Sequence, residues 1–295
     1  MEPHVIETDR LTKHYGAFQA VRELSIRVPA GSITGFLGQN GAGKSSTLRM
    51  LLGMMRPTSG GGRVLGFDIA DARQSVEMRR RVAYVSEDKR LYDYMTVGQI
   101  IRFTRAFFPG WRSDLERRLL DEFRLPEDRP IRKLSKGMRT QTALLLALAR
   151  GAELLILDEP TEGLDPVVTE KVLELVVGAA AEGATVFFSS HQVAEVEQVA
   201  DRVLLIDGGR LLLDASLDTI AEEFRRVRGV YDEPVSVDTL GLGGARVEAE
   251  GRTVSVLARR DVDLVVERMR AGPAVAVDVL PLTLKEVVLE TIRRG

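Results

Sequence analysis

Cysteine is absent from this chain of 295 residues, and histidine occurs only three times. Without cysteine, the chain cannot form disulfides, use a thiolate for catalysis or build a cysteine-based zinc site. Three scattered histidines also argue against a metal centre held by imidazoles. Any bound metal is therefore expected to arrive together with a ligand.

Long apolar runs and charge of one sign are lacking as well. No run reaches eighteen apolar residues, and no basic-then-apolar signal opens the sequence, so we expect a cytoplasmic chain that does not itself span a membrane. With 41 basic and 43 acidic residues the formal net charge is −2, which argues against nucleic acid as the main partner. At 44% hydrophobic residues the chain is long enough for two modest domains.

The segment GFLGQNGAGKSSTLRMLLG, residues 35–53, is rich in glycine and follows an apolar, β-branched run. Glycines allow positive φ angles, so successive backbone N–H groups can converge on an anion where the helix begins. The spacing G-x-x-x-x-G-K-S predicts a phosphate-binding loop, with the lysine on the β/γ-phosphates and the serine on Mg²⁺. A glycine-rich turn with an exposed lysine is the alternative. The candidate nucleotide-binding residues are Gly38, Asn40, Gly41, Ala42, Gly43, Lys44, Ser45 and Ser46.

A second candidate site segment is LLILDEP, in which four apolar residues precede two acids. The apolar run predicts a buried strand, and the acids would emerge at its carboxyl end, where α/β sheets bind ligands. Asp158 would hold Mg²⁺ through water, and Glu159 would accept a proton from the water that attacks the γ-phosphorus. The alternative is a strand that simply ends in an acidic turn.

The pattern along the chain predicts an α/β fold with a P-loop core. Residues 1–90 are β-rich, whereas about 92–150 carry helical periodicity and are interpreted as an inserted helical subdomain. The segments ELLILDE and GATVFFSS then flank a helix, which is the βαβ pattern of a parallel sheet. The VLLIDGGRLLLD segment predicts a hairpin.

We place the domain boundary near residue 215, giving a nucleotide-binding domain over 1–215 and a small α+β appendage over 216–295. The appendage is predicted to begin with a linking helix, SLDTIAEEFRRVR, whose FRRVR segment would form a solvated helix face. Two strands, a helix, a further strand and a closing helix are expected to follow.

The segment KLSKGMRTQTALLLALA, residues 133–149, predicts a second helix that begins at an anion site. Ser135 is a plausible N-cap, and Gly137 would allow close approach of the backbone. Taken alone, the pattern also fits an ordinary capped core helix. Its position just before the strand that ends in two acids favours the anion site.

Together these motifs resemble the ATP-binding subunit of an ABC transporter, over about residues 5–215. The phosphate loop is GQNGAGKS, the signature is LSKGM, the carboxylate strand is LLILDE, the D-loop is EGLD, and the switch histidine lies in FFSSHQ. The resemblance implies that ATP and Mg²⁺ bind here. It further implies that Tyr15 stacks on adenine, that His191 contacts the γ-phosphate and that Asp165 connects two active sites. The signature residues Ser135, Lys136 and Gly137 would face the nucleotide of a partner.

The chain departs from the family pattern at two places. Glu87 occupies the position of a magnesium-sensing glutamine, and it could still be an oxygen ligand of the metal. Lys136 and Met138 stand where the family's signature has glycine and glutamine. The lysine would add positive charge near the partner's γ-phosphate.

The resemblance implies an ATPase that dimerises around two ATP molecules, with a second copy or a homologous subunit. It would drive a separate membrane-spanning permease from the cytoplasmic face of the membrane, and exporter-type single-cassette subunits are the closest match. A soluble ABC-type ATPase acting on DNA or ribosomes is the alternative. A P-loop kinase or GTPase would not need LSKGM, EGLD and His191 together.

Overall fold

A computed structural model describes residues 3–234, 246–259, 262–272 and 274–294. The chain divides into two compact units, and the division falls between Asp214 and Ala215. No helix within these ranges is both long and apolar enough to cross a lipid bilayer.

A six-stranded sheet forms the centre of the first unit, in the order β11-β10-β4-β9-β8-β7. The strands from β10 to β7 are parallel, and every residue of β4, β8 and β9 is buried. The apolar runs predicted as interior strands are therefore the middle of the sheet, and the predicted α/β fold is confirmed. The strands are β4 (Ile33–Leu37), β7 (Val82–Val85), β8 (Leu154–Asp158), β9 (Thr185–Ser190), β10 (Arg202–Asp207) and β11 (Arg210–Ser216).

A second, antiparallel sheet contains the β-rich segments from the start of the chain, in the order β2-β1-β5-β6 with β3 also paired to β1. Apolar residues of this sheet and of the central sheet share one buried core, which includes Ile6, Val21 and Phe36. The strands are β1 (His4–Tyr15), β2 (Phe18–Leu24), β3 (Arg27–Pro29), β5 (Ser59–Val64) and β6 (Phe67–Asp68).

The helices predicted between residues 92 and 150 are present and have an apolar cluster of their own, built around residues such as Val97, Leu119 and Leu145. One of them begins at a capping box formed by Thr96 and Gln99. The helices of the first unit are α1 (Lys44–Leu51), α2 (Ala72–Arg81), α3 (Val97–Arg105), α4 (Ser113–Glu122), α5 (Lys136–Leu148), α6 (Pro166–Ala181) and α7 (Val193–Val199), with a 3₁₀ turn at Ile131–Lys133.

The second unit corrects the predicted linking helix, which is shorter than the sequence pattern indicated. Helix α8 (Leu217–Glu223) ends before Phe224, and the segment FRRVR belongs to strand β12 (Phe224–Tyr231). This strand pairs on both sides in a four-stranded antiparallel sheet, so cross-strand pairing overrides the local helical preference. The other elements are β13 (Arg246–Glu250), β14 (Thr253–Arg259), α9 (Val262–Ala271), β15 (Ala274–Pro281) and α10 (Leu284–Arg294).

Candidate functional site

The phosphate loop lies between β4 and α1, at the carboxyl edge of the central sheet. Gly41 and Gly43 have φ angles of 83° and 107°, and Gly43 is the N-cap of α1. Side chains rarely adopt such angles, which explains why the loop uses glycine at both positions. The strand, loop and helix arrangement expected of a phosphate site is therefore present.

The turn between β10 and β11 ties this loop to β2. The N–H of Gly209 donates to the carbonyl of Ala42 at 3.1 Å, and the N–H of Arg22 donates to the carbonyl of Gly209 at 2.8 Å. A Cβ atom at Gly209 would lie 2.8 Å from the carbonyl oxygen of Ala20, and one at Gly43 would overlap the same oxygen. Loop, turn and strand are therefore packed backbone against backbone.

We expect Gly43→Ala to lower the melting temperature more than Gly41→Ala does. Both residues have positive φ angles, which cost an L-residue about 1–2 kcal/mol. A Cβ at Gly41 would meet no atom within 4 Å, whereas one at Gly43 would overlap the carbonyl of Ala20. Because both variants share the backbone strain, the difference between their melting temperatures measures the overlap with Ala20. Equal melting temperatures would show that the packing between Gly43 and Ala20 is loose.

Lys44, the first residue of α1, is buried, and its ammonium group is enclosed by oxygens. Its Nζ donates to the carbonyls of Gly38 at 2.7 Å and Gln39 at 3.2 Å, and it lies 3.1 Å from the Glu159 carboxylate. The lysine is therefore held over the mouth of the loop, where it can reach a phosphate.

The two acids of LLILDEP lie at the end of β8, as predicted. Asp158 accepts hydrogen bonds from the hydroxyls of Ser189 at 2.7 Å and Ser45 at 3.3 Å. The Ser189 hydroxyl also accepts from the N–H of Glu159 at 3.1 Å. The three oxygen-bearing side chains at Ser45, Asp158 and Ser189 thus form one network behind the loop.

The Glu159 carboxylate is buried between two cationic or potentially cationic partners. One oxygen faces Lys44, and the other lies 2.8 Å from Nδ1 of His191. Glu159 also has a φ angle of 46°, which is disfavoured for a residue with a side chain. The family resemblance implied that His191 contacts a γ-phosphate, and the structure brings it into direct contact with Glu159.

Sequence reasoning missed Lys89, which lies two residues after Glu87. The Lys89 side chain is only 4% exposed, and its Nζ donates to the carbonyl oxygen of Glu159 at 2.7 Å. Burial lowers the pKa of Lys89, and Lys136 lowers it further. The only signal in the sequence was a lysine inside the acidic segment YVSEDK, which does not by itself indicate a buried position.

Glu87 lies beside other carboxylates. Burial is the largest cause that raises the pKa of Glu87, and the charges of Glu162 and Asp158 raise it further. Burial is also the main cause that raises the pKa of the nearby Tyr84 to about 12, with Asp158 adding to it. This edge of the sheet is therefore rich in negative charge, which favours a bound cation.

Tyr15 stands at the end of β1 with its ring about half exposed. Its hydroxyl lies 3.3 Å from that of Ser46 on α1 and donates to the sulfur of Met55 at 3.1 Å. The half-exposed ring is thereby placed beside the phosphate loop, where an aromatic side chain could stack on adenine, and the Nζ of Lys13 lies 5.5 Å from its centroid.

A cavity of about 440 Å³ lies beside the phosphate loop, and His191 is not among the residues that line it. Gly38 and Ala42 belong to the loop backbone without lining the cavity, and Asp158 lies behind Ser45. Of the residues predicted from the sequence, those lining it are Tyr15, Asn40, Gly41, Gly43, Lys44, Ser45, Ser46, Glu87 and Glu159.

The signature and D-loop residues are not brought to this cavity. Ser135 caps α5 by accepting from the N–H of Met138 at 3.2 Å, and Asp165 caps α6 by accepting from two backbone N–H groups. The Nζ of Lys136 packs against Gly163, where a Cβ would overlap it. None of these residues lines the cavity of its own chain, although Lys136 lies close enough to Lys89 to lower its pKa.

The fold and the cavity define a P-loop nucleoside triphosphatase of the α/β class. At one edge of the parallel sheet, strand β4 leads into the glycine loop and its lysine, and strand β8, separated from β4 by β9, ends in a carboxylate pair. Comparisons with known proteins identify the family within that class.

The sequence profile of the ABC transporter family matches residues 21–162. An uncharacterised ABC transporter ATP-binding protein of Synechocystis is 34% identical over 231 residues, which are 74% of this chain and 64% of that relative. The fluoroquinolones export ATP-binding protein of Mycobacterium tuberculosis is 35% identical over 233 residues, covering 77% of this chain and 76% of the relative. A solved structure of the ATP-binding subunit of an ABC transporter matches with a TM-score of 0.67 at 31% identity, over 73% of this chain and 91% of that one.

The chain belongs to the ATP-binding proteins of ABC transporters, and it is an ATPase of that family. The family resemblance drawn from the motifs is therefore confirmed, and ATP is the nucleotide.

Proposed function

We propose that this chain hydrolyses ATP in the 440 Å³ cavity and thereby powers a separate permease that exports its substrate. The observation that carries the proposal is the position of Glu159, whose carboxylate lies beside the phosphate loop between Lys44 and His191. A carboxylate held there is suited to take a proton from an attacking water. His191 would orient that carboxylate and approach the γ-phosphate through its outer ring edge.

Lys44 and the loop N–H groups bind the phosphates in this proposal, and Tyr15 stacks on the base. Positive charge and helix-end dipoles at the phosphates stabilise the charge that spreads over the transferred group. Lys44 contacts the Glu159 carboxylate as well as the loop carbonyls, so its ammonium sits between the base and the phosphates.

The oxygen donors at Ser45, Asp158 and Glu87 fit a magnesium ion. Ser45 lines the cavity and donates to Asp158 behind it, and hydroxyl and carboxylate oxygens are the ligands this ion prefers. Over the described ranges, no three acidic or histidine side chains converge as a preformed metal centre. That suits an ion held mainly by phosphate and water, which would neutralise phosphate charge when bound.

The active unit is proposed to be a pair of chains. Ser135 and Lys136 are exposed at the start of α5 and do not line the cavity of their own chain, although a helix N-terminus is suited to bind an anion. A second copy, or a homologous subunit, would bring its cavity to this surface and enclose ATP between the two chains. Asp165 is also exposed and would contact the partner's site.

The permease is proposed to dock on an aromatic patch of the helical region, defined here as Tyr92, Tyr94, Phe103 and Phe107. Their rings contact one another in a chain, with centroids 5.1 to 5.8 Å apart, and all four are exposed. Exposed aromatic clusters of this kind mark protein interfaces. Docking there would place the chain peripherally on the cytoplasmic face of the membrane.

The double substitution Tyr94→Ser and Phe107→Ser is expected to abolish most sedimentation with membranes when a neighbouring membrane protein gene is co-expressed. These are the two most exposed rings of the patch, at 72% and 64%. ATP hydrolysis by the isolated chain should not change, because neither ring lines the cavity.

Val275→Ser removes an apolar side chain of similar exposure, 63%, from the second unit and serves as the matched control. A doubly substituted chain that still sediments with the permease would show that the patch is not the docking surface. If the unsubstituted chain stays in the supernatant, the alternative of a soluble ABC-type ATPase is favoured instead.

A further inference from the structure

Lys89 is a buried lysine to which the ATPase mechanism above gives no task. The backbone turns at Lys89, where its N–H donates to the carbonyl of Ser86 at 3.0 Å and its φ angle is 45°. Burying an ammonium group is unfavourable unless it is paired, so its position calls for compensation from its surroundings. It does not line the cavity, and its hydrogen bond to the site is to the backbone carbonyl of Glu159.

The surroundings of Lys89 are mainly acidic. The carboxylates of Glu87, Glu162 and Asp158 act on it electrostatically, and Lys136 is the like charge nearby. Its one hydrogen-bond acceptor from the neighbouring strand is the backbone carbonyl of Glu159. Lys89 thus links the acidic segment after β7 to the residue that ends the carboxylate strand.

Glu159 is a residue whose backbone needs support. Its φ angle of 46° is in the left-handed region, which residues with side chains adopt only when neighbouring groups hold them there. Side chains from two other segments hold it: Ser189 accepts from its N–H at 3.1 Å, and Lys89 donates to its carbonyl at 2.7 Å. Together they fix the peptide units on both sides of the Glu159 Cα atom.

We propose that Lys89 is a positioning residue for ATP hydrolysis, which holds the strained backbone of Glu159 so that its carboxylate stays aligned between Lys44 and His191. The inference rests on the proposed role of Glu159. Because Lys89 acts through the backbone of the base and not through the nucleotide, its loss should lower kcat without weakening ATP binding.

The test compares Lys89→Met, which keeps the length of the side chain but has no donor, with Lys89→Arg, which keeps a charged donor. Misplacing a catalytic group by about 1 Å can cost about 100-fold in rate, and we expect Lys89→Met to lower kcat by about that factor. The dissociation constant for ATP should stay at the parental value, and Lys89→Arg should recover much of the rate. Lys285→Met changes an exposed lysine of the second unit and is the matched control.

The hydrolysis rate of the double variant, Lys89→Met with Glu159→Gln, distinguishes a role that acts through Glu159 from a merely structural role. If Lys89 acts through Glu159, the double variant should hydrolyse ATP no more slowly than Glu159→Gln alone. Should Lys89→Met fail to fold, Lys89→Gln replaces it, because its shorter, neutral side chain also loses the contact and is expected to show the same loss of kcat.

Three outcomes overturn the inference. Parental kcat in Lys89→Met shows that the contact is not needed, and a weaker ATP affinity with unchanged kcat assigns Lys89 to binding. Failure of Lys89→Arg to recover any rate, in a chain that melts at the parental temperature, shows that the donor is not what matters. If Glu159→Gln hydrolyses ATP at the parental rate, the proposed function fails as well; if it is inactive while Lys89→Met is active, only this inference fails.

Discussion

Glu159→Gln is expected to stop ATP hydrolysis while leaving ATP binding intact. A general base contributes about 100- to 10,000-fold to a rate, and glutamine cannot accept the proton. The amide has the same shape as the carboxylate and can still lie beside His191 and Lys44. In the proposed dimer hydrolysis is the step that separates the two copies, so the variant should accumulate as a dimer in the presence of ATP and Mg²⁺.

Phosphate release measures the rate for this variant, and light scattering with and without ATP measures the dimer. Glu174→Gln, an exposed change on α6, is the matched control and should behave as the parent does. A Glu159→Gln chain that remains monomeric at saturating ATP and hydrolyses at the parental rate would contradict the proposed mechanism.

Lys44→Ala is expected to remove most ATP binding. Hydrogen bonds to charged groups contribute roughly 1.5–3 kcal/mol each, so losing the contacts to the phosphates should weaken binding by about 100-fold or more. Calorimetric titration with ATP measures this directly. An unchanged dissociation constant would mean that the loop does not bind phosphate through this lysine.

The Lys44→Ala result needs a separate check on folding, because the lysine is half of a buried ion pair with Glu159. Removing one partner of such a pair leaves an unpaired charge and costs about 3–5 kcal/mol of stability. Adding Glu159→Gln to Lys44→Ala removes that charge. The double variant should therefore regain thermal stability and still fail to bind ATP, which separates the two effects.

Much of the first unit could be predicted because its signals are local. The buried strands β4, β8 and β9 are short apolar runs followed by turn or site residues, and this pattern is typical of a parallel sheet. The phosphate loop is likewise a contiguous segment, so its glycines and Lys44 could be assigned from spacing alone.

The second unit shows where local patterns fail. The basic side chains of FRRVR resemble one face of a helix, yet Phe224, Val227 and Tyr231 are buried in the centre of a sheet. Two partner strands far along the chain decide that outcome, and no feature within the segment indicates them. The loss of helix after Glu223 is therefore a tertiary effect.

The positions of some site residues could be predicted from the sequence, whereas the contacts between them could not. Types and spacing of residues identified Asp158 and Glu159, but not the contact between Glu159 and His191, which joins the ends of two strands. Lys89 lacked any motif, and its burial depends on how the segment after β7 folds over the end of β8. Contacts between segments far apart in sequence require the assembled sheet.

The backbone packing of Ala20 against Gly43 and Gly209 has a mechanical consequence. Direct main-chain contacts join strand β2, the phosphate loop and the β10–β11 turn. We therefore expect these three segments to move as one rigid unit. The ring offered to the base and the amides offered to the phosphates therefore keep a fixed spacing. A nucleotide bound as proposed would therefore meet a base platform and a phosphate cradle whose separation is set by the backbone rather than by side-chain rotamers.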